Sequence, residues 1–85
     1  MAKYEVLVRP SVRKDVRDIP RADLQRIIER IANLQNNPRP PGCIKLSDLE
    51  YYRIRQGDYR IVYEIEDAHL VVIVVKIGNR KDVYR

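Results

Sequence analysis

Residues 3–9, KYEVLVR, alternate apolar and polar side chains, with Tyr4, Val6 and Val8 on one face, the period of a half-buried strand. Pro10 closes it, and Ser11 stands where a helix N-cap would stand. Val12, Val16 and Ile19 then recur at helical spacing, so the spacing predicts a short helix over 11–18, stopped by Pro20. Leu24, Ile27, Ile28, Ile31 and Leu34 follow as i, i+3, i+4, i+7 and i+10, the stripe of an amphipathic helix beginning at Arg21. Asn36, Asn37 and Pro38 end it, and NNPRPPG reads as a loop.

Four runs rich in β-branched and aromatic residues come next: CIKL, YYRIRQ, YRIVYEIE and HLVVIVVKIG. Gly57-Asp58 between the second and third is a two-residue hairpin signal, and Asp67-Ala68 between the third and fourth is a weaker one. The expected order is β-α-α-β-β-β-β, an α+β fold with two N-terminal helices packed on one face of a mainly antiparallel sheet. No stretch marks a domain boundary, so residues 1–85 are expected to form one domain.

Composition narrows the class. One cysteine, Cys43, rules out an internal disulfide, and it has no histidine at metal or catalytic spacing. Lys3, Glu5 and Arg9 interrupt the first apolar residues, so no secretory signal is expected. The longest apolar run, 70–75, is far below a membrane span. A soluble, cytoplasmic protein is the expectation. Net charge is +5, which favours polyanionic partners.

The charge has a pattern. With Gly57-Asp58 as the turn, Arg55 faces Arg60, Ile54 faces Ile61 and Arg53 faces Val62. Ile54 and Ile61 then point to the helices, and Arg53, Arg55 and Arg60 share the opposite face. Like charges directly opposed on a ladder cost up to about 1 kcal/mol. Nearby acids could offset this, with Glu64 on the same face and Asp48 and Glu50 in a flanking loop. The cluster reads equally as an anion site and as a solvated basic face.

Lys45-Leu46, YYRIRQGDYRIVYEI at 51–65 and VVKIGNRKDVYR at 74–85 together resemble the RelE/ParE superfamily of bacterial and archaeal toxins. The resemblance covers essentially the whole chain and implies the same β-α-α-β-β-β-β fold. The RelE branch cleaves mRNA in the ribosomal decoding site. Carried onto this chain, its active set falls on Arg53, Arg55, Arg60, Arg80 and Tyr84, with Lys45 and Lys81 as further substrate-binding positions. The ParE branch poisons DNA gyrase and generally lacks the complete basic set with its terminal tyrosine. The resemblance therefore implies a ribosome-dependent endoribonuclease toxin, with a cognate antitoxin and the ribosome as partners and with no cofactor, metal or membrane. A gyrase poison and a non-catalytic RNA-binding module are the alternatives.

The chemistry fits the residue types. RNA cleavage by its own 2′-OH needs a base, cations for the pentavalent phosphate and a proton for the leaving oxygen. The implied roles are Tyr84 as base, Arg60 as transition-state clamp, Arg53 and Arg55 as phosphate binders and Arg80 at the leaving oxygen. Many relatives carry a histidine where this chain has Asn79.

Other polar and aromatic residues have plainer readings. Tyr63 shares the parity of Ile61 and Ile65 and packs, whereas Tyr51 shares the face of Arg53 and could stack on a base. His69, beside a turn, is expected on the surface. Val71, Ile73 and Val75 fall on the arginine face by parity. Arg13, Lys14, Arg17, Arg21, Arg26 and Arg30 read as solvated helix charges paired with Asp15, Asp18, Asp23 and Glu29, or as contacts to rRNA phosphates.

Overall fold

A computed structural model describes residues 3–46 and 50–79. Eight elements follow one another: β1 (Glu5–Val8), α1 (Val12–Val16), α2 (Arg21–Asn33), β2 (Ile44–Lys45), β3 (Tyr51–Gln56), β4 (Tyr59–Glu66), a single 3-10 turn (Asp67–His69) and β5 (Val71–Asn79). The five strands form one sheet in the order β1-β5-β4-β3-β2. Antiparallel ladders join β2 to β3, β3 to β4 and β4 to β5, while β1 runs parallel to β5. A parallel pair needs a long crossover, and here everything from α1 to β4 lies between its two strands. The sheet is therefore mixed, although its hairpin half follows the expected meander.

The core forms where the helices meet the sheet. Val12 of α1, Ile27 of α2 and Leu34 just after it pack with Ile54, Ile61, Tyr63, Val72, Val74 and Ile77 of the strands. These are the inward positions the two periodicities assign, with Tyr63 completely buried. Strict alternation along β5 would put Ile77 on the same face as Val75 and away from the helices. A bulge prevents this: Val62 pairs with Lys76 but Tyr63 with Val74, leaving Val75 as the extra residue. The bulge resets the parity, so Val72, Val74 and Ile77 all reach the core.

Local chemistry differs from expectation at three points. Ser11 makes no side-chain cap and is itself helical, at φ −60° and ψ −22°; the chain enters α1 through backbone bonds from Val12 and Arg13 to the carbonyls of Arg9 and Pro10. The β4–β5 connection is not a two-residue hairpin. The 3-10 turn inserts there and ends at Leu70 in the left-handed region, φ 54°, so β5 begins at Val71. The helix charges also do not pair among themselves as expected. Asp15 instead reaches the sheet, accepting the Ile77 N–H at 3.1 Å and standing 3.7 Å from Lys76 Nζ.

The NNPRPPG loop is more than a connection. Tyr63 donates its hydroxyl hydrogen to the Pro38 carbonyl at 2.7 Å, and Cys43 Sγ lies 3.2 Å from the Tyr63 hydroxyl oxygen. Burial and the Cys43 contact push this phenol well above its ordinary range. The Arg39 guanidinium sits 5.1 Å over the Tyr52 ring, which stacks on Tyr63 at 6.1 Å. Arg39 also forks onto Asp67, its Nη2 at 2.9 Å and Nη1 at 3.2 Å, and Tyr4 donates to Asp67 at 2.7 Å. The loop is thus fastened to β3, to β4 and to the turn before β5.

The Arg39 fork and the Tyr4 hydrogen bond hold the Asp67 carboxyl at about 2, below its ordinary 3.8. A depressed carboxylate contributes stability that is full above its unfolded pKa and is lost as pH falls through the folded one. Stability should therefore fall between about pH 4 and pH 2 with a component that Asp67→Asn removes. Urea unfolding of both proteins across that range checks it. Identical slopes would mean that the fork stabilises nothing.

No helix among the described residues is long and apolar enough to cross a membrane. His69 is well exposed, its Nδ1 3.6 Å from Glu66.

Candidate functional site

Gly57, at φ +60°, turns the β3–β4 hairpin in a conformation that side chains with a Cβ rarely adopt. The register is the expected one: Gln56 pairs with Tyr59, Arg55 with Arg60, Ile54 with Ile61 and Arg53 with Val62. A two-residue turn makes the Gln56–Tyr59 pair hydrogen-bonded, so Arg55 and Arg60 form the next, non-hydrogen-bonded pair. Such pairs bring their Cα atoms to about 4.5 Å and their side chains closest. With Ile54 and Ile61 fully buried against the helices, the three arginines project from the other face.

They are not equivalent there. Arg53 is 6% exposed, its ladder neighbours on that face being Ile44 of β2 and Val62 of β4. Arg60 is half-buried and Arg55 exposed. Arg53 and Arg55 line an open cleft of about 380 Å³ together with Ile44, Gly42 and Arg30. Lys45 pairs with Tyr52 and so lies on the helix face, away from Arg53 and Arg55. Tyr51 pairs with Glu64 and keeps the arginine face.

The nearest expected counter-charge is engaged elsewhere. Glu64 accepts from Arg9 at 3.1 Å in a pair that spans β5. The last described residue, Asn79, is paired with Tyr59, and Gly78 with Arg60. The chain thus arrives at position 79 beside the hairpin end that carries Arg55 and Arg60. Arg80, Lys81 and Tyr84, like Asp48, lie outside the described residues.

Chemically, the face offers several guanidinium groups within one hairpin, each a planar fork of donors suited to phosphate oxygens. Among the described residues no three His, Cys, Asp or Glu side chains converge as a metal site would require. Sequence reasoning read Arg30 only with the other helix charges, solvated or facing rRNA phosphates, and not in this cleft, which it joins from α2; it passed over Arg39, which fastens the loop. A weak signal existed for Arg30: no acid stands three or four positions from it on the helix. Arg39 had none, because its partner Asp67 lies 28 residues further on.

Comparison with known proteins identifies the family and the fold. The family model for the ParE toxin of type II toxin–antitoxin systems, parDE, matches residues 6–84. A Mycobacterium tuberculosis protein named toxin RelE is 33% identical over 84 residues, spanning 96% of this chain and 87% of its own length. The crystal structure of an archaeal RelE–RelB complex from Pyrococcus horikoshii superposes with a TM-score of 0.82 at 31% identity, covering 95% of this chain and 99% of the matched one. A RelB–RelE complex from Methanococcus jannaschii gives a TM-score of 0.75 at 28% identity, over 92% and 94%. The chain belongs to the ParE toxin family within the RelE/ParE superfamily and is a toxin of the RelBE type.

Proposed function

We propose that this toxin is a ribosome-dependent endoribonuclease that cuts mRNA in the decoding site and so stops translation. The observation that carries this reading is the face shared by Arg53, Arg55 and Arg60, two of them directly opposed across a tight hairpin. Like charges so placed cost stability, and a bound phosphodiester would turn that cost into attraction. Arg53 and Arg55 would hold the phosphate and Arg60 would meet the charge that develops on it during attack by the adjacent 2′-OH. Tyr84, outside the described residues, is proposed as the base; guanidinium groups brought beside it would favour its phenolate. Arg80 is proposed at the leaving oxygen, where a guanidinium stabilises charge but gives up a proton poorly. Lys81 would add a backbone contact; Lys45, on the helix face, does not join this set.

The proposed inhibitor is a co-produced antitoxin of the RelB kind, as in the Pyrococcus horikoshii complex. An apolar recess of about 220 Å³ between α1 and α2, lined by Val8, Val12, Val16, Leu24, Ile28 and Ile31 among others, offers such a segment a place to bury apolar side chains.

Purified protein added to a translation reaction should generate new mRNA 5′ ends in register with ribosome decoding sites, and none on naked mRNA. Absence of those ends would remove the nuclease reading. The family description favours a second reading, a gyrase poison of the ParE type. It predicts DNA-damage signalling on expression, with translated mRNA left intact.

A further inference from the structure

β2 pairs with only two residues of β3, Ile44 with Arg53 and Lys45 with Tyr52. Among the described residues, the outer edge of β3 beyond Arg53 therefore has no strand beside it. In the non-hydrogen-bonded Arg55–Arg60 pair the Arg55 carbonyl points outward to that edge, and it is met there by Arg30 of α2, whose Nη2 donates to it at 3.4 Å. This is the hydrogen bond that Arg30 makes among the described residues. Its Nε is buried without a hydrogen-bond partner, and no described acid pairs with it. A helix residue has thus reached round the sheet edge into a cleft whose other described polar lining is Arg53 and Arg55. Among the described residues, three guanidinium groups line that cleft and no carboxylate does.

We infer that Arg30 is a phosphodiester-binding residue, and that with Arg53 and Arg55 it forms a subsite for the backbone of single-stranded RNA over the open edge of β3. The bond to the Arg55 carbonyl fixes the guanidinium at the cleft and leaves Nη1 as a donor for phosphate, with Nε buried beside it. Concave walls lined by one sign of charge concentrate a polyanion more than the same charges spread on a convex face. The strand would then leave the Arg55–Arg60 pair across the β3 edge toward α2. The inference takes the identity of the polyanion from the RNA-cleaving reading but does not need the cleavage itself.

The test uses a short fluorescent 2′-O-methyl oligoribonucleotide, which offers no 2′-OH and cannot be cut by internal attack. Its affinity for the wild type, Arg30→Gln, Arg30→Lys and Arg26→Gln is measured across a salt series. Each phosphate contact on a single strand contributes a slope of about 0.7 in log affinity against log salt. Arg30→Gln should lower the slope by about that amount and bind about five-fold more weakly. Arg30→Lys should keep the slope, and Arg26→Gln, one turn away and exposed, should not change it. An unchanged slope in Arg30→Gln, or an equal fall in Arg26→Gln, would overturn the subsite.

The Nε–Hε resonance of Arg30 in the wild-type protein gives a readout that no variant's folding can confound. It should shift on titration with the same oligonucleotide, and a stationary signal would overturn the inference. Arg30-dependent binding in a protein that leaves ribosomal mRNA uncut would keep the subsite and remove only the nuclease reading.

Discussion

Arg60→Ala is expected to fold, to bind its antitoxin and to cut ribosome-bound mRNA about 10² to 10³ times more slowly than the wild type, the usual consequence of removing one preorganised donor from developing charge. Folding should survive because Arg60 lies on the face away from the helices, opposite a like charge at Arg55. The loss includes some packing of its aliphatic stem but also relief of a cross-strand repulsion. Arg60→Lys retains the charge without the planar fork and should fall between the two. Tyr84→Phe should lose about 10² to 10⁴ in rate, the range for a positioned base. Single-turnover cleavage on programmed ribosomes, read with thermal unfolding and antitoxin binding, separates chemistry from stability. Full-rate cutting by both Arg60→Ala and Tyr84→Phe would sink the assigned roles.

The contrast between Arg60 and Arg30 shows which parts of such a site a sequence exposes. Arg53, Arg55 and Arg60 were legible because one turn signal, Gly57-Asp58, fixes the register of both flanking strands, and register with a period of two fixes the face. The same logic placed Ile54, Ile61 and Tyr63 in the core. Where the ladder is irregular the logic stops. The bulge after Val62 returns Ile77 to the core, and alternation contains no sign of it, because Val, Ile and Lys occupy either face of a bulged strand without strain. The parallel β1–β5 pairing was equally silent. It is decided by the handedness and length of the crossover, neither of which is written in the short strand EVLV.

Side chains that leave their own element are harder still. Arg30 sits in an ordinary helical stripe, and only the brevity of β2 makes the Arg55 carbonyl available to it. Asp15 behaves alike, abandoning helix neighbours for the Ile77 amide. A charge on a helix is read against its neighbours at i±3 and i±4, worth only a few tenths of a kcal/mol. Any buried or outward-facing backbone group within reach outweighs that. The proposed RNA-facing surface was therefore half visible, through its strand arginines, and half hidden on α2.

The largest loss of stability is expected at Tyr63, the biggest fully buried side chain. Its ring joins the core from β4 and stacks on Tyr52, and its hydroxyl holds the Pro38 carbonyl. Tyr63→Ala empties that volume and releases the loop together, and should cost about 3 to 5 kcal/mol, as other buried aromatic truncations do. Total stability for a domain of this size is only about 5 to 10 kcal/mol, so much of the population would unfold on modest warming. Tyr63→Phe isolates the polar part. It keeps the ring and leaves the buried Pro38 carbonyl without its donor, at a cost of about 1 to 3 kcal/mol. Urea denaturation of the two variants gives both numbers. If Tyr63→Phe were neutral, the hydroxyl would be dispensable and Arg39 alone, through Tyr52 and Asp67, would be fastening the loop. Near-equal losses would point the other way: the hydrogen bond to Pro38 would then outweigh the packing of the ring.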